Sequence, residues 1–219
     1  MKYCQKEVSE IITVSVRLSS DFLLDQDSII SSLPFGENEK SRLKSIKNLS
    51  YRSQSIAALV ALKDVLPTSP ESDFTISRTA NRKPYFDNLP LHFSISHSNS
   101  LSVASIGETP LGVDIELLDN TRDTSRLVSR FFNEEEKSRL NASPSFDTEF
   151  YSIWTKKEAL SKISGEGLPD LASQNSLSCF CHQYILKLGN ENYIMSVCAS
   201  REEEIVINNA YKELTVYEL

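Results

Sequence analysis

The chain has 219 residues, of which 40% are apolar and 24% are charged, and its net charge at pH 7 is -7. These values are ordinary for a soluble globular protein of one large domain or two small ones, and no stretch approaches the roughly 20 apolar residues of a membrane span. The acidic balance argues against broad nucleic-acid binding, which needs a basic surface. With only six glycines and no Gly-rich phosphate loop, a Rossmann or P-loop fold has little support.

The first half of the chain is predicted to hold a strand, helices and then several short strands. Alternating β-branched residues over 10–17 predict a strand rather than a signal peptide. A short polar helix is expected at 37–47, and apolar residues at helical spacing predict a longer helix over 50–66, with Ser50 as its N-cap and Pro67 ending it. Short strands are expected to follow at 73–77, 91–96, 101–106 and 111–117.

The second half repeats this order. Residues 121–163 are helical in pattern, and Asn133 ahead of three glutamates is typical of a helix N-cap. Strands are expected to return near 177–187, 192–199, 204–208 and 213–217. The repeated order predicts an α+β fold and suggests a duplicated unit with a boundary near 107–110, although no residue-level repeat accompanies it.

The four cysteines are few and scattered, which predicts free thiols in a reducing compartment. Cys179, Cys181 and His182 invite a zinc site as an alternative, but no second ligand pair follows at a zinc-site spacing. Buried free thiols are the favoured interpretation.

Two pairs of charged residues fall on regular positions. Within the predicted strand 111–117, Asp114 and Glu116 point to one face, and neighbouring carboxylates repel each other unless a proton or a cation bridges them. On the predicted helix, Glu158 and Lys162 are four residues apart and share a face. Each pair alone has a simpler explanation, a strand with one wet face for the first and a surface salt bridge for the second.

A third polar group lies in the first half of the chain. Ser94 and Ser96 share one face of the strand that ends near His97, where a side chain can reach a ligand. Just upstream is a cluster of three cations that suits a phosphate group but is also common on solvated surfaces, namely Arg78, Arg82 and Lys83. Together with carboxylates, whose hard oxygens suit Mg2+ shared with phosphates, these groups outline phosphoryl-type transfer by positioning and charge stabilisation.

These residues stand in the order and spacing of the Sfp-type 4'-phosphopantetheinyl transferases, which the chain resembles over about residues 50–170. The pattern is specific because G-V-D-I-E at 112–116 is followed about forty residues later by W-T-K-K-E-x3-K at 154–162. Further matching stretches are Lys83-Pro84-Tyr85, Phe93 through Ser98, Arg130-Phe131-Phe132 and the helix that begins Tyr51-Arg52-Ser53. The chain departs from the family at Arg82, where a glycine commonly precedes the Lys-Pro pair.

The resemblance implies two similar α+β halves, 1–108 and 109–219, with the active site and coenzyme A in the cleft between them. It implies Mg2+ held by Asp114, Glu116 and Glu158, and catalysis by Glu158, Lys162 and Asp114. The residues it places at coenzyme A are Lys83, Ser96, His97, Lys157, Lys162, Arg78 and Arg52. The implied activity is transfer of the 4'-phosphopantetheine arm to a serine of an apo acyl or peptidyl carrier protein, by a cytoplasmic monomer that binds neither nucleic acid nor membrane.

Two other functions fit parts of the pattern. Another Mg2+-dependent phosphoester enzyme, such as a nuclease, also needs clustered carboxylates, but it would lack affinity for coenzyme A and would usually have a more basic surface. A non-catalytic protein that binds coenzyme A or a carrier would keep the fold without transfer. The intact set of Asp114, Glu116, Glu158 and Lys162 argues against this second alternative, because a decayed site tends to lose one member.

Overall fold

The computed structural model describes residues 11–66, 74–165 and 179–219, and in this part of the chain helices and strands are mixed, which confirms the α+β class. The strands are β1 (Ile11–Leu18), β2 (Ile76–Arg78), β3 (Pro84–Phe86), β4 (His92–Ser98), β5 (Leu101–Gly107), β6 (Leu111–Leu117), β7 (Phe180–Leu188), β8 (Glu191–Ala199), β9 (Glu204–Asn209) and β10 (Leu214–Glu218). After a 3₁₀ turn at Ser19–Phe22, the helices are α1 (Gln26–Ser32), α2 (Glu37–Ser45), α3 (Leu49–Val65), α4 (Ser125–Phe131), α5 (Glu134–Ala142) and α6 (Phe146–Ser164). Each helix in these ranges is too short or too polar to span a membrane.

Two four-stranded sheets organise the fold. Their strand orders are β4-β5-β1-β9 in the first sheet and β10-β7-β8-β6 in the second, while β2 and β3 form a separate hairpin. β1 pairs antiparallel with β5 and parallel with β9. The first sheet therefore contains strands from both ends of the chain.

The two sheets share an apolar core and each carries one long helix on its other face. Alternate residues of the strands meet between the sheets, including Val14 and Val103 from the first and Val113 and Met195 from the second. α3 packs on β5 and β1, and α6 packs on β6 and β8. This order places β6 between the core and α6, so that its two faces are both covered.

The helix ends follow local capping chemistry. α3 begins one residue earlier than predicted, and its N-cap is Asn48, whose side chain accepts a hydrogen bond from the Tyr51 amide at 2.9 Å, so the prediction of Ser50 was wrong. The predicted stop, Pro67, lies outside the described residues. Asn133 is confirmed as the N-cap of α5, where it forms a capping box with Glu136. α1 was not predicted, because its seven residues are mostly polar and show no helical spacing of apolar residues.

One pair of cysteines is not free. Cys181 on β7 and Cys198 on β8 are cross-strand partners joined by a disulfide, with Cα atoms 4.1 Å apart. The prediction of free thiols is therefore wrong for this pair, whereas it is confirmed for Cys179, and Cys4 lies outside the described residues. The two partners are 17 residues apart in sequence and come together only when β7 and β8 pair, so no local spacing revealed them.

Candidate functional site

The candidate site lies where β4 of the first sheet meets β6 of the second. Serine hydroxyls of β4 join the two strands: Ser94 and Ser98 accept hydrogen bonds from backbone amides of β6 at 3.1 and 3.0 Å. Ser96, between them, donates to the Asp114 carboxylate at 2.8 Å. Because backbone amides at a buried strand edge need partners, the serines take the place of a paired strand. They also bring the carboxylates of β6 next to β4.

Asp114 lies at the centre of this joint and is 5% exposed. Its Oδ1 accepts hydrogen bonds from Ser96 and from Lys162 Nζ, each at 2.8 Å. Its Oδ2 is buried and has no hydrogen-bond partner among the described residues. A buried carboxylate oxygen without a partner is costly, so this atom marks a place for a cation or a donor.

Two further carboxylates feel the charge of Asp114. Burial, followed by the charge of Asp114, raises the pKa of Glu116, which accepts a hydrogen bond from Ser98 at 3.0 Å. Burial and the charge of Asp114 also raise the pKa of Glu158 to about 7, although the nearby Lys162 opposes this shift. The three residues predicted to hold a metal are thus near enough for the charge of one to raise the pKa of another. Within residues 11–66, 74–165 and 179–219, however, no group of three His, Cys, Asp or Glu side chains is arranged so that it could hold a metal ion.

The position of α6 depends on Gly112. A Cβ atom at this position would lie 2.0 Å from the carbonyl oxygen of Ala159, so glycine alone permits the helix to touch β6 here. The close approach lets Lys162 Nζ donate to the Val113 carbonyl at 2.9 Å and to Asp114 at 2.8 Å. Lys162 therefore pairs with Asp114 on β6, whereas the helical spacing suggested a salt bridge with Glu158.

A cavity of about 250 Å³ opens beside Lys162 and is also lined by Lys83, Ser94 and Gly165. Lys83 Nζ donates to the Ile163 carbonyl at 2.6 Å, and Asn81 donates to the Gly165 carbonyl at 3.0 Å. The turn before β3 is in this way tied to the end of α6. Burial lowers the pKa of the Lys83 ammonium.

His97, at the far end of β4, faces the same charges. Burial and then the positive charge of Lys162 lower its pKa, so the neutral ring is favoured. The ring meets Tyr51 of α3 edge-on, with 5.3 Å between the centroids. α3 therefore contacts His97 through Tyr51.

Three predicted coenzyme-binding cations are engaged elsewhere in the protein. Arg52 forms an ion pair with Asp27 of α1. Arg78 pairs at 3.0 Å with the buried Glu39, and Lys157 pairs at 2.8 Å with Glu136. Lys83 and Lys162 do line the cavity, together with Arg82 of the predicted cation cluster.

Sequence reasoning missed the roles of Gly112 and Ser98. The signal for Ser98 was the period of two in Ser94, Ser96 and Ser98, which places three hydroxyls on one face of a strand. The signal for Gly112 was a glycine inside a strand, which often marks a close backbone approach. Neither signal shows which helix or strand the residue contacts.

Comparison with known proteins identifies the family. The model of the 4'-phosphopantetheinyl transferase superfamily matches residues 110–203. A 4'-phosphopantetheinyl transferase of Bacillus subtilis is 40% identical over 89 residues, which is 39% of each chain. The 4'-phosphopantetheinyl transferase psf-1 of Bacillus pumilus is 30% identical over 102 residues, which is 45% of this chain and 43% of the relative. This chain thus spans about two-fifths of the length of these two relatives.

A third relative is covered further. The 4'-phosphopantetheinyl transferase Sfp of Bacillus subtilis strain 168 is 30% identical over 168 residues, which is 66% of this chain and 72% of the relative. The stretch that the family model matches contains Gly112, Asp114, Glu116, Glu158 and Lys162, the residues that build the joint between β6 and α6. The resemblance drawn from the sequence motifs is confirmed: this chain belongs to the 4'-phosphopantetheinyl transferase superfamily.

Proposed function

We propose that this protein transfers the 4'-phosphopantetheine arm of coenzyme A to a serine of an apo acyl or peptidyl carrier protein and releases 3',5'-ADP. The observation that carries the proposal is the buried Asp114 Oδ2, which has no hydrogen-bond partner among the described residues and lies beside Lys162 and a cavity lined by cations. Family membership supplies the expected chemistry, and this arrangement supplies charges suited to a pyrophosphate.

The donor set fits Mg2+ in kind and in charge. Asp114, Glu116 and Glu158 offer hard oxygens, one of them buried and unpartnered within the described structure, and their mutual repulsion calls for a cation. These three residues would hold the ion. When bound, it would neutralise charge on the pyrophosphate. Without it, Lys162 supplies the positive charge next to Asp114.

In the proposed reaction, the carrier serine oxygen forms a bond to the β-phosphorus of coenzyme A, and the bond from that phosphorus to the bridging oxygen breaks. The pair of electrons leaves with 3',5'-ADP. Glu158, with a pKa of about 7, is suited to accept the serine proton at neutral pH, directly or through a water. Lys162 stabilises the charge that grows on the leaving group. Lys83, Ser96 and the neutral His97 would contact the coenzyme.

The finer architecture belongs to the same proposal. Each four-stranded sheet carries one long helix, α3 or α6, which supports two similar halves, 1–108 and 109–219, with coenzyme A in the cleft at the joint of β4 and β6. β9 lies in the C-terminal half but pairs with β1 in the N-terminal sheet. The monomeric state, the cytoplasmic location and the role of Arg52, Arg78 and Lys157 at the coenzyme stay predictions.

The experiment that tests the function is mass spectrometry of a panel of apo carrier proteins incubated with the protein, coenzyme A and Mg2+. The expected result is a mass gain equal to the arm on at least one carrier, and no gain on the same carrier with its acceptor serine changed to alanine. Binding of coenzyme A in a thermal-shift assay with no mass gain on any carrier would favour the non-catalytic alternative. A shift with oligonucleotide but not with coenzyme A would favour the nuclease.

A further inference from the structure

A buried polar network lies under α6, one turn before the residues proposed to act on coenzyme A. The Thr155 hydroxyl lies 2.7 Å from the Ser196 hydroxyl of β8, and both residues are 0% exposed. The Gln183 amide of β7 donates to Ser196 at 2.9 Å and to the Ser152 carbonyl at 2.8 Å, and Ser152 donates back to Gln183 at 2.9 Å. The network therefore joins one helix to two strands.

One arrangement of hydrogens satisfies every donor in this network. The Thr155 hydroxyl also lies 2.8 Å from the Tyr151 carbonyl, which can only accept, so its hydrogen is placed there. Ser196 then donates to Thr155, and Gln183 donates to Ser196. Because the direction of each bond is then fixed, loss of the Thr155 hydroxyl leaves the buried Ser196 hydroxyl without its acceptor.

The network has a fixed relation to the candidate site. Ser196 is the cross-strand partner of Asp114, so both side chains point to the same face of the second sheet, towards α6. Glu158 and Lys162 follow Thr155 by three and seven residues on α6, one and two turns further along the same face. The hydrogen bond that Ser196 donates to Thr155 therefore sets the height of α6 above the sheet that carries Asp114.

We propose that Thr155, Ser196 and Gln183 are positioning residues, whose network holds Glu158 and Lys162 in register with Asp114 and thereby sets the turnover of the enzyme. This inference rests on the proposed transferase function. The network contacts neither the cavity nor the cations that line it, so it acts on the reacting groups through α6 and not on the affinity for coenzyme A.

The test uses the full chain and the variants Thr155→Val, which keeps the shape and removes the hydroxyl, and Thr155→Ser, which restores it. Turnover on one apo carrier is expected to fall about 10- to 100-fold in Thr155→Val, because small misplacements of reacting groups have effects of this size. The dissociation constant for coenzyme A is expected to stay within about twofold, and Thr155→Ser is expected to recover most of the turnover. Ser196→Ala should behave as Thr155→Val does.

The matched control is Ser105→Ala, which removes a hydroxyl that is equally buried but lies on β5 of the first sheet. Its turnover should match the wild type. If Thr155→Val keeps more than half of the wild-type turnover, or if its coenzyme A affinity falls in proportion to its turnover, the positioning role is wrong.

A second measurement separates this inference from the proposed function. Amide hydrogen exchange over residues 156–164 needs no activity, and it should be faster in Thr155→Val than in the wild type and unchanged in Ser105→Ala. A wild-type protein that transfers nothing, combined with this exchange pattern, would overturn the transferase function but support the network. Unchanged exchange in Thr155→Val would overturn the network.

Discussion

At the scale of single residues, the candidate site gathers three carboxylates, and the pKa values of two of them are raised. One carboxylate oxygen of Asp114 accepts hydrogen bonds from Ser96 and Lys162. The other oxygen has no hydrogen-bond partner within the described structure. Burial and the neighbouring negative charges push the pKa of Glu116 and Glu158 upwards. A site of this kind stores repulsion that a divalent cation relieves.

Asp114→Asn should abolish transfer while the protein stays folded. The amide keeps the size of the side chain and can accept from Ser96 and Lys162, but it removes the proposed anionic ligand and its charge repulsion with Glu116. Turnover at saturating Mg2+ should fall at least about a hundredfold, because even outer partners of metal ligands are worth roughly 10- to 100-fold. Steady-state kinetics on an apo carrier, with a thermal melt as folding control, measure this. Near-normal turnover would remove Asp114 from the proposed ligands.

Glu158→Gln should change the pH dependence of metal-free stability. The folded pKa of Glu158 is raised from 4.5 to about 7, so its contribution to stability is fully present below pH 4.5 and is lost as the pH rises through 7. Glutamine does not ionise, so the variant should gain melting temperature relative to the wild type at pH 8 more than at pH 4.5. Thermal melts in a metal chelator measure this, with the exposed Glu213→Gln as control. Equal differences at both pH values would contradict the raised pKa.

At the scale of elements, the site depends on how closely α6 approaches β6. The contact at Gly112 and the ion pair between Lys162 and Asp114 lie on the same two elements, and the buried Trp154 and Phe150 fill the other end of the helix. The approach is fixed at several points along the helix. A change at one of these points is therefore expected to shift Glu158 and Lys162, the two side chains of α6 proposed as catalytic, together.

Gly112→Ala should destabilise the protein and disturb the site at once. The added Cβ would lie 2.0 Å from a backbone oxygen of α6, which cannot move without the helix. We expect a loss of about 3 kcal/mol, at the upper end of the usual cost of overpacking. Gly36→Ala is the control, because a Cβ there meets no atom within 4 Å. Urea unfolding of both variants measures the difference, and equal stability would mean that α6 adjusts freely.

The sequence predicted the elements of the site better than the contacts between them. Period-two spacing placed Asp114 and Glu116 on one face of a strand. Both are near enough to Glu158 for their charges to raise its pKa. Helical spacing also linked Glu158 to Lys162, but it could not show that Lys162 reaches Asp114, because that distance depends on the docking of α6 at Gly112. The same limit applies to Cys181 and Cys198, whose pairing follows from the registration of two strands. A local sequence pattern shows which face of a helix or strand a side chain occupies, whereas tertiary packing decides which residue it contacts.

At the scale of the whole molecule, the net charge of -7 opposes the binding of an acidic coenzyme. In the proposed function, the attraction comes from the cations that line the cavity, which include Lys83 and Lys162. Both lysines also donate to backbone carbonyls, which fixes their position. The molecule thus offers a local positive site on an acidic surface.

Coenzyme A affinity should therefore fall as salt rises. Screening weakens the attraction between the phosphates and the lysines within a Debye length of about 10 Å at 0.1 M salt. Calorimetric titration at low and at physiological ionic strength measures the dissociation constant. Dephospho-coenzyme A is the control and should show a weaker dependence, since it lacks the 3'-phosphate. A dissociation constant that does not change with salt would contradict binding through local cations.

The parallel pairing of β1 with β9 has a consequence for the growing polypeptide. β1 and β5 both lie in the first half of the chain and can pair early in synthesis, whereas the other edge of β1 pairs with β9, which is made much later. Closing so long a loop is slow, and an open strand edge can pair with another molecule in the meantime. Every side chain proposed to act on coenzyme A precedes Glu204, the first residue of β9. A nascent chain that ends before Glu204 therefore contains all of these side chains, while the edge of β1 in the first sheet is still unpaired. During translation, the risk of aggregation therefore ends only after the site residues have all been made.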